Sequence, residues 1–213
     1  MADLEEAGYP CPACGSTLYG WTAAHHPIDR RRRIVLDRCE SCGLAVTRAA
    51  EPPDPDAELE PAINATAAGE IEVRAPNRRS IQGGLGGAQW AGLEPDLRRL
   101  HLNPEALRLL LAKRGWEVEH VDTPFTAEAR RAMIQTMLNA FTLRDNFLRN
   151  ARAGRLEPRT SRERLLYRLD WLVSFLVLGP AALFGVPLEA LGAALGRGGV
   201  LEATAKPAAP PIA

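Results

Sequence analysis

Four cysteines, Cys11, Cys14, Cys39 and Cys42, fall as two Cys-x-x-Cys pairs with 24 residues between them, each pair followed by a glycine. Two intervening residues let a tight turn aim both sulfurs at one ion, and Gly15 and Gly43 suit the backbone bend such a knuckle needs. Two knuckles make one tetrahedral site of four thiolates. That ligand set predicts zinc and leaves no open position for water, so the ion is expected to be structural and to supply folding energy to a small module. Paired redox dithiols or disulfides are the competing use of the same spacing, and a reducing compartment disfavours them.

The knuckles need a scaffold, and residues 17–21 and 33–38 supply it as short strands around a turn containing His25, His26 and Pro27. The result is a zinc ribbon. Adjacent histidines on a turn point apart, so His25 and His26 are read as an exposed tip and not as a second metal site. Residues 30–33 are all arginine. Such a run can meet phosphates, but Asp29 and Asp37 flank it and no interleaved aromatics offer a stacking platform, so nucleic acid is not expected as a partner.

The whole chain has room for one to two domains: 213 residues, 46% hydrophobic and 24% charged, which excludes wholesale disorder. Lys plus Arg and Asp plus Glu are equal at 26 each, so no global charge drives the chain toward nucleic acid or anionic lipid. Asp3, Glu5 and Glu6 give the start the wrong sign for a secretory or transit peptide, and a cytoplasmic protein is the expectation.

Beyond the ribbon, residues 51–60 carry five acids, three prolines and no base, and residues 51–68 read as a solvated acidic, Pro-rich linker. Residues 70–75 then alternate as a strand does. Asn103 caps a helix that has Pro104 at its first position, Leu107, Leu110 and Leu111 on one face, and Gly115 past its end. Strands at 116–121 and, after the Gly198-Gly199 break, at 200–206 complete an α/β sheet layer.

The run Gly-Glu-Ile-Glu-Val-Arg-Ala-Pro-Asn at 69–77, with Ser80, Gly-Ala-Gln-Trp at 87–90, Leu-Glu-Pro at 93–95, His-Leu-Asn-Pro at 101–104 and Gly-Trp-Glu-Val at 115–118, resembles the C-terminal half of class I S-adenosylmethionine-dependent methyltransferases. Many bacterial members of that family begin with a twin-knuckle ribbon and end in a strand similar to 199–206. The resemblance touches residues 9–48 and 68–206. It implies a ribbon at 1–50 and, at 69–213, half of a methyltransferase-like domain: a partial, three-stranded sheet with a long helical insertion at 125–198. In the family's strand order the three strands kept here are neighbours.

The cofactor half is missing. About twenty residues separate the ribbon from the strand at 70–75, fewer than the ~30 of one βαβ unit. The glycines of 83–87 follow the wrong strand to replace the cofactor loop and read as a flexible connection. Family members often place a histidine base after the Trp; Arg98 stands at that place here, and a guanidinium accepts no proton at neutral pH. His101, three residues on, reads as a surface residue at the start of a helix. The resemblance therefore implies a noncatalytic protein whose isolated chain does not bind S-adenosylmethionine, and no catalytic or cofactor-binding residue is assigned.

In the insertion, Met133, Ile134, Met137, Leu138 and Phe141 recur at helical spacing, and residues 129–170 hold ten arginines against four acids. Residues 171–188 follow, eighteen without a charge. A basic amphipathic helix beside such a run reads as a membrane-surface element, and eighteen residues reach the lower limit for a span. Pro180, Pro187 and nearby glycines predict two short helices instead of one. Three arrangements stay open: a mutually buried pair, contact with a membrane surface, or a span. The truncation also predicts an open sheet edge at 70–75, to be covered by self-association, by a protein partner or by a fold-back of 62–68. The expectation is an interaction or scaffold module, cytoplasmic or peripheral to the inner membrane; the alternative is the acceptor-binding subunit of a split methyltransferase.

Overall fold

A computed structural model describes residues 8–26, 32–66 and 69–208. In chain order its elements are β1 (Leu18–His25), β2 (Arg33–Cys39), β3 (Ala45–Thr47), α1 (Pro55–Leu59), a 3-10 turn Glu60–Ala62, β4 (Ile63–Ala65) and β5 (Ile71–Pro76). There follow α2 (Ile81–Gly86), a 3-10 turn Gly87–Gln89, β6 (Leu100–His101), α3 (Pro104–Lys113) and β7 (Trp116–Asp122). The chain closes with α4 (Ala127–Asn139), α5 (Phe147–Arg152), α6 (Ser161–Ala194) and β8 (Val200–Pro207).

The fold is mixed α/β with two four-stranded antiparallel sheets, ordered β1-β2-β3-β6 and β4-β5-β8-β7. The strands expected at 70–75, 200–206 and 116–121 are adjacent as β5, β8 and β7. In β5 the alternation is strict: Ile71, Val73 and Ala75 are buried while Glu72 and Arg74 are exposed, the period-2 pattern of a half-covered strand. Facing β8 repeats it with Leu201, Ala203 and Ala205. Helix α3 forms as its sequence signals require, with the Asn103 side chain accepting a hydrogen bond from the Ala106 amide and Pro104 at the first position. Its buried face presents Leu107, Leu110 and Leu111.

Three expectations change. The stretch read as a solvated linker is built into the body. Asp54 caps α1, Leu59 is buried, and Ile63–Ala65 pairs antiparallel with Ile71–Val73. Of the three covers foreseen for the edge at 70–75, the fold-back is the one seen, and it reaches Ile71–Val73, which leaves strand pairing with a partner no premise over those residues. The glycines of 83–87 are no loose connection either. Ser80 caps α2 through the Gly83 amide at 3.0 Å, and a Cβ on Gly83 would come within 2.5 Å of the Arg78 carbonyl oxygen, so the helix turns against the chain before it. Finally, the ribbon is not packed apart from the rest. β6, from beyond residue 69, pairs with β3, and one apolar core joins Leu18, Leu44 and Val46 of the ribbon to Leu59, Val73, Leu107 and Leu201.

The expected pair of short helices is a single one. α6 runs 34 residues, with Pro180 and Pro187 inside it. Thr160 and Glu163 form a reciprocal capping box at its start. Pro removes an N–H from a helix interior and ordinarily kinks or breaks it. Here tertiary packing along one face of α6 holds the helix through both positions, and that face contacts α4 and α2.

Candidate metal centre and the exposed helix

The two knuckles are built alike. Gly15 and Gly43 take φ of 79° and 71°, a region glycine enters without steric cost. The Gly15 amide donates to the Cys11 carbonyl at 2.8 Å, and the Gly43 amide to the Cys39 carbonyl at 2.9 Å. One residue later each loop closes on the next strand: Cys11 N–H to the Ser16 carbonyl, 2.7 Å, and Cys39 N–H to the Leu44 carbonyl, 2.8 Å.

This geometry brings the four predicted cysteines together. Their Sγ atoms all lie within 4.8 Å of one another; Cys11 and Cys42 are 3.6 Å apart, Cys14 and Cys39 3.4 Å. These are not disulfides, whose sulfurs lie at ~2.05 Å. A tetrahedral ion with Zn–S bonds of ~2.3 Å requires sulfur–sulfur edges of about 3.8 Å, which the cluster meets with minor adjustment. The four-cysteine site is therefore compatible with zinc. Burial pushes the Cys11 thiol up to about 11 and Cys42 higher still. At Cys14 burial also acts upward, but hydrogen bonds from the Ser16 side chain and amide and from the neighbouring thiols outweigh it and bring the value down to about 6. A cation held at the centre would favour the thiolate form of its ligands.

Sequence reasoning did not find the residues that hold the knuckles. Asn103, besides capping α3, donates from Nδ2 to the Cys42 carbonyl at 3.0 Å. At the far end of the same helix Lys113 Nζ donates to the Pro12 carbonyl at 2.8 Å. One helix thus grips both knuckles from its two ends.

His101 is not at the surface. It is buried, and its Nε2 lies 2.9 Å from Thr47 Oγ1. The Thr47 hydroxyl donates its one proton to the Arg98 carbonyl at 3.1 Å, so Nε2 carries the proton that His101 gives to Thr47. Burial, with the charges of Arg78 and Arg98, lowers His101 to about 3, and the neutral ring is a structural pin between β3 and β6. Asp37, read as a screen for the basic run, is fully buried and binds Arg48 in a fork, Nε to each oxygen at 3.0 Å and Nη2 to Oδ1 at 2.6 Å. Of the run itself, Arg32 and Arg33 are exposed; residues 30 and 31 lie outside the described residues. His25 closes β1, and His26 follows it, its amide donating to the Arg32 carbonyl at 2.9 Å.

The second feature is α6, whose polarity is inverted. Its buried residues are Asp170, Ser174, Ala181, Gly185, Glu189 and Gly192, a stripe of small or polar groups. Leu172, Phe175, Leu176 and Leu183 on the opposite side are 54 to 79% exposed. The helix is long and apolar enough to cross a membrane, and only 17% of its most apolar stretch is buried.

Two carboxylates pin it. Asp170 accepts from the Leu143 amide at 2.6 Å and pairs with Arg144 at 2.9 Å. Glu189 accepts from the Gly199 amide at 2.6 Å and from Gln82 Nε2 at 2.8 Å, while Gln82 Oε1 accepts from Trp90 Nε1 at 3.1 Å. Burial raises the Glu189 carboxyl, against these hydrogen bonds. The network was missed in the sequence. Its one signal is Glu189 itself, the first charge after eighteen uncharged residues, since an acid ending an apolar run needs a buried partner.

No family model, no curated protein and no solved structure matches this chain.

Proposed function

We propose that this chain is a noncatalytic zinc-ribbon protein, related by truncation to the class I S-adenosylmethionine-dependent methyltransferases, that acts as an interaction module docked on the cytoplasmic face of a membrane. The observation that carries the reading is the inverted polarity of α6. A helix of a water-soluble body turns its large apolar side chains inward; α6 turns Asp170 and Glu189 inward and leucine and phenylalanine outward. The two pinned carboxylates are nineteen residues apart, which at 1.5 Å per residue is ~28 Å of helix lying against the body. A helix held along that length lies in the plane of a membrane and does not thread through it. Pro180 and Pro187 agree, because the carbonyls of Leu176 and Leu183 lose their helical partners and fare better among headgroups than in hydrocarbon.

Charge supports a lipid surface over a second copy of the chain. Arg159, Arg162, Arg164 and Arg168 surround the start of α6, each basic group near an anionic surface contributing ~1 kcal/mol. Tyr167 and Trp171, stacked edge-on against Phe147 with centroids 5.3 and 5.7 Å away, mark the boundary where such rings gather. The split-enzyme alternative would seat its missing half on the β5 edge, and β4 already pairs with Ile71–Val73 there, which favours the module reading. In the proposed role the ribbon and its zinc stiffen the body that carries α6 through the core they share, and the chain does not catalyse methyl transfer.

Flotation with phosphatidylglycerol vesicles tests the docking. Wild-type protein should rise with the vesicles, and Leu172→Glu/Leu176→Glu/Leu183→Glu, confined to exposed positions, should stay behind. Wild-type protein left in the soluble fraction at low salt overturns the membrane reading.

A further inference from the structure

A cavity of about 700 Å³ lies where α4, α5 and α6 meet the ends of β5 and β8. That is the size of an ordinary ligand pocket. Its interior is apolar, walled by Trp90, Ala91, Ile134, Leu138, Leu148 and Leu178. Leu178 belongs to the uncharged run of α6, so the cavity adjoins the surface proposed to meet lipid.

Its charges are not balanced. Two acids face it, and each has an arginine partner: Glu128 shares Arg74 with Glu202, at 3.4 and 3.3 Å, and Glu94 is held by Arg149 and by Arg98. Two further arginines line it from its solvent-exposed rim, Arg131 and Arg152, and neither has a carboxylate partner among the described residues. Glu94 sits at φ 40°, a backbone region that non-glycine residues rarely enter and that clusters at binding sites. An apolar cavity with two uncommitted guanidiniums has a complementary ligand class, a hydrocarbon chain ending in an anion.

We infer that this cavity binds a single-chain anionic amphiphile, its phosphate or carboxylate head between Arg131 and Arg152 and its chain against Ile134, Leu138 and Leu178. From the proposed docking the inference takes only the source of the ligand, the adjoining lipid.

Native mass spectrometry of the full chain released from a neutral sugar detergent tests it, with dodecyl phosphate, dodecyl trimethylammonium or inorganic phosphate added. Dodecyl phosphate should give one saturable adduct per chain. Occupancy should fall at least tenfold in Arg131→Gln/Arg152→Gln and in Ala153→Trp, which fills the cavity from its exposed rim, and should be unchanged in Leu172→Glu/Leu176→Glu/Leu183→Glu. Absence of the adduct, equal binding of the trimethylammonium, or an adduct that survives Ala153→Trp overturns the inference. Inorganic phosphate binding as tightly as dodecyl phosphate overturns the chain-binding part of it. Flotation of the same proteins separates the two proposals: an adduct without flotation sinks the docking and keeps the cavity, and flotation without an adduct does the reverse.

Discussion

Cys39 shows what a single residue carries here. It is buried, it opens the second knuckle through its carbonyl, and its thiol faces Cys14. Purified protein should contain one zinc per chain, and Cys39→Ser should lose the metal and unfold the ribbon, because structural zinc supplies ~10–16 kcal/mol of apparent binding energy to small domains. Metal analysis of reduced, freshly purified protein checks this, and finding none contradicts it. His101 gives a second prediction. Its folded pKa lies at about 3, below the unfolded ~6.5, so the unfolded state takes up the proton first. The contribution to stability is present above pH ~6.5 and is lost as pH falls toward 3. Urea midpoints across that window should drop with acid for the wild type and drop less for His101→Gln. The cysteines were legible because a knuckle is local. Asn103 and Lys113 were not, since each acts on a knuckle 61 or 101 residues away, a contact only the closed core brings about.

At the scale of elements, α6 is held along its buried face, with Asp170 and Glu189 as the two polar anchors. Glu189→Ala would leave the Gly199 amide and the Gln82 side chain buried without their acceptor, at ~1–3 kcal/mol for each orphaned group. Gly199→Ala should be at least as damaging, because a Cβ there would overlap the Gln82 amide. Thermal melts should rank both below a rim substitution such as Ala153→Ser. Local signals gave α3 and three of the four strands of the second sheet, β5, β7 and β8, since caps, glycine stops and period-2 alternation are read within one element. They failed at α6, where Pro180 and Pro187 were expected to break the helix and packing against α4 overrode them. They failed again at residues 55–65, where an acidic composition hid the buried Leu59 and the core-facing Ala62 and Ile63, which with the β4–β5 pairing dock the segment.

For the molecule as a whole, one core spans the ribbon and the second sheet, and it makes metal and fold cooperative. Removing zinc should lower protection in β5 and β8 as well as in the ribbon, in a hydrogen-exchange experiment that follows each strand. Leu107→Ala, at the centre of α3, should cost ~2–5 kcal/mol and weaken metal retention with it. The central claim is that the body rests on a membrane with α6 lying in its plane, and nitroxide labels at Leu165, Leu172, Leu176 and Leu183 test it most directly. On anionic vesicles the account predicts that all four report one shallow depth, ~5–10 Å below the headgroups. A steady gradient of depth along the helix, as a span would give, or four labels fully open to water, would contradict it.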